Sequence, residues 1–130
     1  MCIKKLKDNT NEVQVVGNLE QKYINMANSN VPSGEVRMNP GAIKHIKKKH
    51  PDDFKKYFQN IPEIIESPDY VGQNPKKKDS IELVKVIDGD VLVAVKLDPS
   101  GHLYFSSMYL LAPSKVPKRL KSGRLKKVNP

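Results

Sequence analysis

Three apolar runs in the C-terminal half constrain the fold more than any other part of the chain. Residues 81–87 (Ile-Glu-Leu-Val-Lys-Val-Ile) and 91–97 (Val-Leu-Val-Ala-Val-Lys-Leu) are rich in β-branched and aliphatic side chains. They are joined through Asp88-Gly89, a pair suited to a two-residue hairpin turn. Asp98-Pro99-Ser100-Gly101 is a turn tetrad, and 102–111 supplies the third run. The pattern predicts an antiparallel meander.

The two turns suggest a register. If Ile87 pairs with Asp90, then Val86 faces Val91, Val84 faces Val93 and Glu82 faces Val95, a valine-rich bed for helices. The opposite face then collects Leu83, Lys85, Leu92, Ala94 and Lys96. Pairing Leu97 with His102 adds Leu103, Phe105, Ser107 and Tyr109 to that opposite face, with Ser106 on the helix side beside Val93. A single bulge in either hairpin exchanges Ser106 and Ser107.

The helices come from the first half. In 39–50 (Asn-Pro-Gly-Ala-Ile-Lys-His-Ile-Lys-Lys-Lys-His), Asn39 suits an N-cap and Pro40 the first turn. Ile43 and Ile46 then fall on one buried stripe, surrounded by four lysines and two histidines. His45 and His50 are five apart, about 140° around a helix, a poor spacing for a shared metal. Pro51-Asp52-Asp53 opens a second helix, and Phe54, Tyr57, Phe58 and Ile61 repeat at helical spacing as core. Residues 61–66 extend it, and Tyr70-Val71-Gly72 can begin the sheet. Upstream, Val13, Val15 and Val16 predict a short strand, 20–29 a weak helix and 35–38 another strand. Asn74-Pro75-Lys76-Lys77-Lys78 is an exposed turn with a basic tip. Residues 1–11 read as a loose basic arm, or the remnant of a longer chain, and 12–127 as one domain. After Pro113 and Pro117 the chain ends in a basic tail.

The chain has 130 residues and a net charge of +9, from 23 Lys+Arg against 14 Asp+Glu. With the lysines in blocks, that excess suits a polyanionic partner. The single Cys2 excludes an internal disulfide and a cysteine-rich zinc site, and beside Met1 it reads as a bystander. No apolar run is long enough for a membrane helix and the first residues lack a signal-peptide core, so the expectation is a cytosolic protein or one delivered without a classical signal.

The order of these parts resembles the phage-associated branch of the barnase, EndoU, colicin and RelE-like nucleases, the BECR superfamily. The resemblance rests on the His-Ile-x-x-x-His helix at 45–50, the aromatic-rich helix after it, Ile-Ile-Glu-Ser-Pro-Asp at 64–69, the meander, and Ser-Met-Tyr at 107–109. It implies an α+β fold, with N-terminal helices on a roughly four-stranded antiparallel sheet. It also implies a metal-independent endoribonuclease of toxin or phage type that needs no cofactor. Carried over by position, the helix histidines are His50 and His45, the strand cation is Lys96, and the hydroxyl is Ser107, or Ser106 if the register slips. Tyr109 follows the hydroxyl. A Thr is common in the family where this chain has Ser.

In that reading a histidine takes the proton of an RNA 2′-hydroxyl, Lys96 balances charge on the phosphorane and a 2′,3′-cyclic phosphate results. Lys47, Lys48, Lys49, Lys85, Lys118 and Arg119 are the expected nucleic-acid contacts. RNA, with tRNA among the candidates, is the expected partner, and a cognate antitoxin or immunity protein is a second. The setting is the cytoplasm of a bacterial host, whether the protein is made there or delivered by phage. Each residue has an ordinary alternative: a surface histidine, a strand-end lysine reaching solvent, a small sheet serine, a half-buried tyrosine. A basic RNA- or DNA-binding module of phage or prophage origin that does not cut is the rival class, and a virion or prophage structural protein the third.

Overall fold

The structure is a computed structural model and describes residues 5–128; Cys2 lies outside them. In order the elements are β1 (Gln14–Leu19), α1 (Gln21–Ala27), β2 (Gly34–Met38), α2 (Pro40–Lys49), α3 (Pro51–Tyr57), a single 3-10 turn (Phe58–Asn60), α4 (Ile61–Glu66), β3 (Tyr70–Gly72), β4 (Ser80–Val86), β5 (Asp90–Leu97), β6 (Leu103–Leu110), α5 (Lys115–Ser122) and β7 (Leu125–Lys127). The fold is α+β, as expected. The sheet is larger than the expected four strands: seven are hydrogen-bonded in the order β1-β2-β6-β5-β4-β3-β7. Nor is it wholly antiparallel, because β2 runs parallel to β6, pairing only Val36 with Leu103 and Arg37 with Tyr104. That long-range pairing leaves no local trace in the sequence.

Helices α1–α4 cover one face. Tyr23, Ile24, Ile43, Ile46, Phe54, Phe58, Ile61, Ile64 and Ile65 pack there against Ile81, Leu83, Val91, Val93, Val95, Phe105 and Met108. Leu6 is buried with them, and the Gln59 side chain accepts from its N–H and donates to its carbonyl. The arm expected to be loose is therefore docked at Leu6.

Both hairpins depart from the expected register. The last pair of the first hairpin is Val86–Asp90, so Ile87-Asp88-Gly89 forms a three-residue loop. That shift turns Ile81, Leu83 and Lys85 toward the helices and Glu82 and Val84 away. The physical reason is Glu82. The expected register would bury its carboxylate among valines with no partner, whereas the observed one gives it Arg124. In the second hairpin Leu97 pairs with Leu103, because Asp98 accepts from the N–H groups of Ser100 and His102 and from the Ser100 hydroxyl and so organises a five-residue loop. Leu103 and Phe105 therefore face the core rather than the opposite side.

The expected basic tail is instead α5 and β7. Pro117 sits in the first turn of α5, where a missing N–H costs no intrahelical bond. Gly123, at φ 87°, ends the helix in the left-handed conformation and returns the chain so that β7 pairs with β3. Gly72 makes that pairing possible: a Cβ there would lie 1.8 Å from the Arg124 carbonyl oxygen. Val116 of α5 and Leu125 of β7 then close over Val84, Leu92 and Leu111, a small second cluster on the sheet face away from α1–α4.

Candidate active site

The face away from α1–α4 gathers most of the residues the sequence singled out. Along β6, Phe105 pairs with Val95 and Ser107 with Ala94, so Ser106 is the extra residue of a bulge. Phe105 and Met108 are buried in the helix-side core while Ser106 and Ser107 are both half-buried. A bulge lets successive residues share a face, and here both serines stand on the far one. The expected position of Ser106 beside Val93 is thus corrected: Met108 pairs with Val93. The bulge also cancels the register error of the second hairpin, so Ser107 and Tyr109 lie on the expected face, opposite Ala94 and Leu92.

His50 reaches this face from the helix layer. Pro51 disfavours helical geometry at the residue before it, and His50 has φ −135° and ψ 62°, ending α2 and starting α3. On the side away from β5, no strand among the described residues pairs with β6 beyond Tyr104, and α2 and α3 lie along the edge so exposed. Asp53 of α3 accepts from the Leu110 N–H at 3.0 Å, fixing the helix junction to the end of β6. The His50 and Tyr109 rings then stack, with centroids 5.6 Å apart and planes 27° from parallel. His45, by contrast, is exposed on α2. The Asn39 side chain does not cap that helix; its carbonyl accepts from the Ala42 N–H instead.

On the same face, two strands across from Ser107, lies an ion pair that sequence reasoning missed. Glu82, 4% exposed, pairs across the ladder with Ala94, which in turn pairs with Ser107. Arg124 forks onto it, with Nε donating to Oε1 at 2.9 Å and Nη2 to Oε2 at 2.7 Å. The Glu82 carboxylate, chiefly by hydrogen bond, holds the guanidinium above its ordinary pKa against the opposing effect of its burial. Two signals were available. Glu82 interrupts an apolar strand, and in a lysine-rich chain arginine occurs only at Arg37, Arg119 and Arg124.

Lys96 is on the expected face. It pairs with Tyr104, two residues along β5 from Ala94, the partner of Ser107, and four residues, roughly 13 Å, from Leu92, the partner of Tyr109. There burial, and then the neighbouring Lys77 ammonium, push the Lys96 pKa down. Lys85, expected to share the face of Lys96, is on the helix side and donates to the Ser67 carbonyl at 2.7 Å. Lys47 donates to the Asp8 carbonyl at 2.6 Å, while Lys48 and Lys49 are exposed on α2. Lys118 and Arg119 line a cleft beside α5 together with Lys115, Arg124 and Lys126. His102 is exposed at its loop. Among the described residues, no three His, Cys, Asp or Glu side chains are placed to hold one metal ion, and no helix is long and apolar enough to cross a membrane.

The family model described as phage-Barnase-EndoU-ColicinE5/D-RelE like nuclease3 matches residues 13–118. No curated protein and no solved structure matches the chain.

Proposed function

The chain belongs to the phage-Barnase-EndoU-ColicinE5/D-RelE like nuclease3 family, and on that footing we propose that it is a metal-independent endoribonuclease working by transesterification. The observation that carries this reading is the stack of His50 on Tyr109, beside Ser106 and Ser107 on one sheet face. A base, hydroxyl donors and a cation near one another are what attack by a 2′-hydroxyl on its own phosphodiester requires.

His50 takes the 2′-hydroxyl proton as O2′ bonds to phosphorus. Ser107, with Ser106 beside it, donates to a nonbridging phosphate oxygen. Arg124 balances the charge of the phosphorane in the role expected of Lys96, its Nη1 lying outside the fork to Glu82. The P–O5′ bond breaks and Tyr109 delivers a proton to the departing oxygen. The products are a 2′,3′-cyclic phosphate and a 5′-hydroxyl. Lys96 and Lys77, at the other end of the face, meet the strand away from the cleaved bond.

The substrate is RNA, tRNA among the candidates, met in the cytoplasm of a bacterial host. A cognate inhibitor would have to cover the His50–Tyr109 face. Residues 12–127 form the nuclease domain. The second reading, a basic module that binds without cutting, draws support from the cleft beside α5, where Lys115, Lys118, Arg119 and Lys126 take no part in the catalytic reading. One experiment separates them. RNA incubated with the protein in excess EDTA should give cyclic-phosphate ends, while the all-deoxy strand of the same sequence stays intact. Intact RNA alongside retained binding would establish the binding module; cleavage of both strands would exclude the 2′-hydroxyl mechanism.

A further inference from the structure

The cleft between α5, β7 and the loops after α1 and β3 has a volume of about 650 Å³. Among the described residues, five cations line it (Lys115, Lys118, Arg119, Arg124 and Lys126), and no carboxylate does. Basic side chains near the C-terminus of a helix balance its dipole and need no ligand, which accounts for Arg119 and Lys121. That explanation fails for Lys115 at the opposite end of α5 and for Lys126 on β7. It also fails for Arg119 Nη1, which is buried and has no hydrogen-bond partner among the described residues. A buried donor without an acceptor is uncommon in a folded protein and asks for a group that supplies one. Arg119, Arg124 and Lys126 lie beyond residue 118, where the family match ends.

We propose that this cleft is a phosphate subsite that grips the RNA backbone next to the cleaved bond, without regard to sequence. The proposal rests on the ribonuclease reading above and adds to it a substrate several nucleotides long. Arg124 makes the connection: it lines the cleft while its guanidinium is held on Glu82, two strands across the ladder from Ser107. Five cations along one cleft exceed what a single monophosphate can neutralise, so successive phosphates of a strand are the matching ligand. Among the described residues no aromatic side chain lines the cleft, so it offers bases no surface to stack on. Arginine at 119 presents a planar fork to phosphate oxygens, which lysine does not.

The test uses fluorescent 2′-O-methyl oligonucleotides, which lack the attacking hydroxyl, in anisotropy titrations over a range of salt. Wild type is compared with Lys118→Gln/Arg119→Gln/Lys126→Gln, after confirming that the melting temperature is kept. A uridine 12-mer and an adenosine 12-mer should both bind the variant at least tenfold more weakly. The slope of log affinity against log salt should flatten by roughly 2, from about 0.7 per lost single-strand phosphate contact. A dinucleotide should lose less than twofold. Arg119→Lys, which keeps the charge and removes the fork, should fall between wild type and the triple variant. A 12-mer affinity within twofold of wild type would overturn the proposal, as would a loss confined to one base. Inorganic phosphate competing as well as the 12-mer would reassign the cleft to free phosphate and overturn it too. Because these strands cannot be cut, the binding result stands or falls separately from any result on cleavage.

Discussion

The two faces of the sheet are built to different rules. Under α1–α4 the core is continuous and apolar, running from Leu19 and Ile24 through Ile64 and Ile65 to Val93 and Met108. On the far face apolar packing is confined to the patch that α5 and β7 cover, around Val84, Leu92 and Val116. The rest of that face carries Ser106, Ser107, the Glu82–Arg124 pair and Lys96, with Tyr109 packed against the margin of the patch. One face therefore holds the fold, while the other spends most of its surface on groups that donate, accept or carry charge. His50 is the point where they meet, a helix-layer residue that passes the uncovered edge of β6 to reach the chemical face.

Substitutions should separate the faces. The largest loss of stability is expected on the helix side: Phe105→Ala removes a buried ring and should cost about 3–5 kcal/mol, seen as a melting temperature at least ~10 °C lower. A drop of only a degree or two would show that the helix-side core is not the principal source of stability. Glu82→Ala comes next, because it strands Arg124 beside the sheet. Arg124 keeps 24% of its side chain in solvent, so roughly 2 kcal/mol is expected in urea unfolding, less than for a fully buried pair. Glu82→Ala/Arg124→Leu should recover part of that loss.

A smaller effect belongs to the β4–β5 tip. There Asp88 accepts from the Tyr57 hydroxyl and pairs with Lys56 at 2.5 Å, tying α3 to the hairpin. Hydrogen bonds from Lys56, and then from Tyr57, hold the Asp88 pKa below the ordinary carboxylate value. The native state thus favours the ionised form, and the stabilisation is complete above the unfolded pKa of about 3.9 and disappears as pH falls through the lowered folded value. Wild type and Asp88→Asn should differ in urea midpoint at pH 7, and the difference should close toward pH 2. A gap independent of pH would rule out the ion pair as its source. Least of all in stability, Ser107→Ala should change unfolding by under ~1 kcal/mol yet slow RNA cleavage by tenfold or more. Equal loss of both would make Ser107 a packing residue.

Much of this layout was legible in the residues. The three strand runs, the Pro40 and Pro51 helix starts and the aromatic stripe of α3 all depend on local periodicity, which a sequence displays directly. The face of β5 was also readable, since Val91, Val93 and Val95 alternate. The face of β4 was not, because Asp88-Gly89 fits a two-residue turn equally well; the deciding cost was the unpartnered burial of Glu82, whose partner lies 42 residues away. Lys96 was placed on the correct face, and the turn at Asp98–Gly101 already set it well along the strand from Tyr109. How near His50 would come was not readable, because that depends on how α2 and α3 pack along β6, a contact between segments far apart in the chain. His50 itself was marked by Pro51, which breaks the helix there, although nothing local revealed that its ring would meet Tyr109.

The measurement that bears most directly on the role of the far face is single-turnover cleavage of end-labelled RNA in EDTA by wild type, His50→Ala and His45→Ala. Wild type should give cyclic-phosphate products, His50→Ala should be slower by about 10²–10⁴, and His45→Ala should stay within twofold of wild type. If His50→Ala cuts as fast as wild type, or if His45→Ala is the variant that stops, the His50–Tyr109 face is not where the chemistry happens.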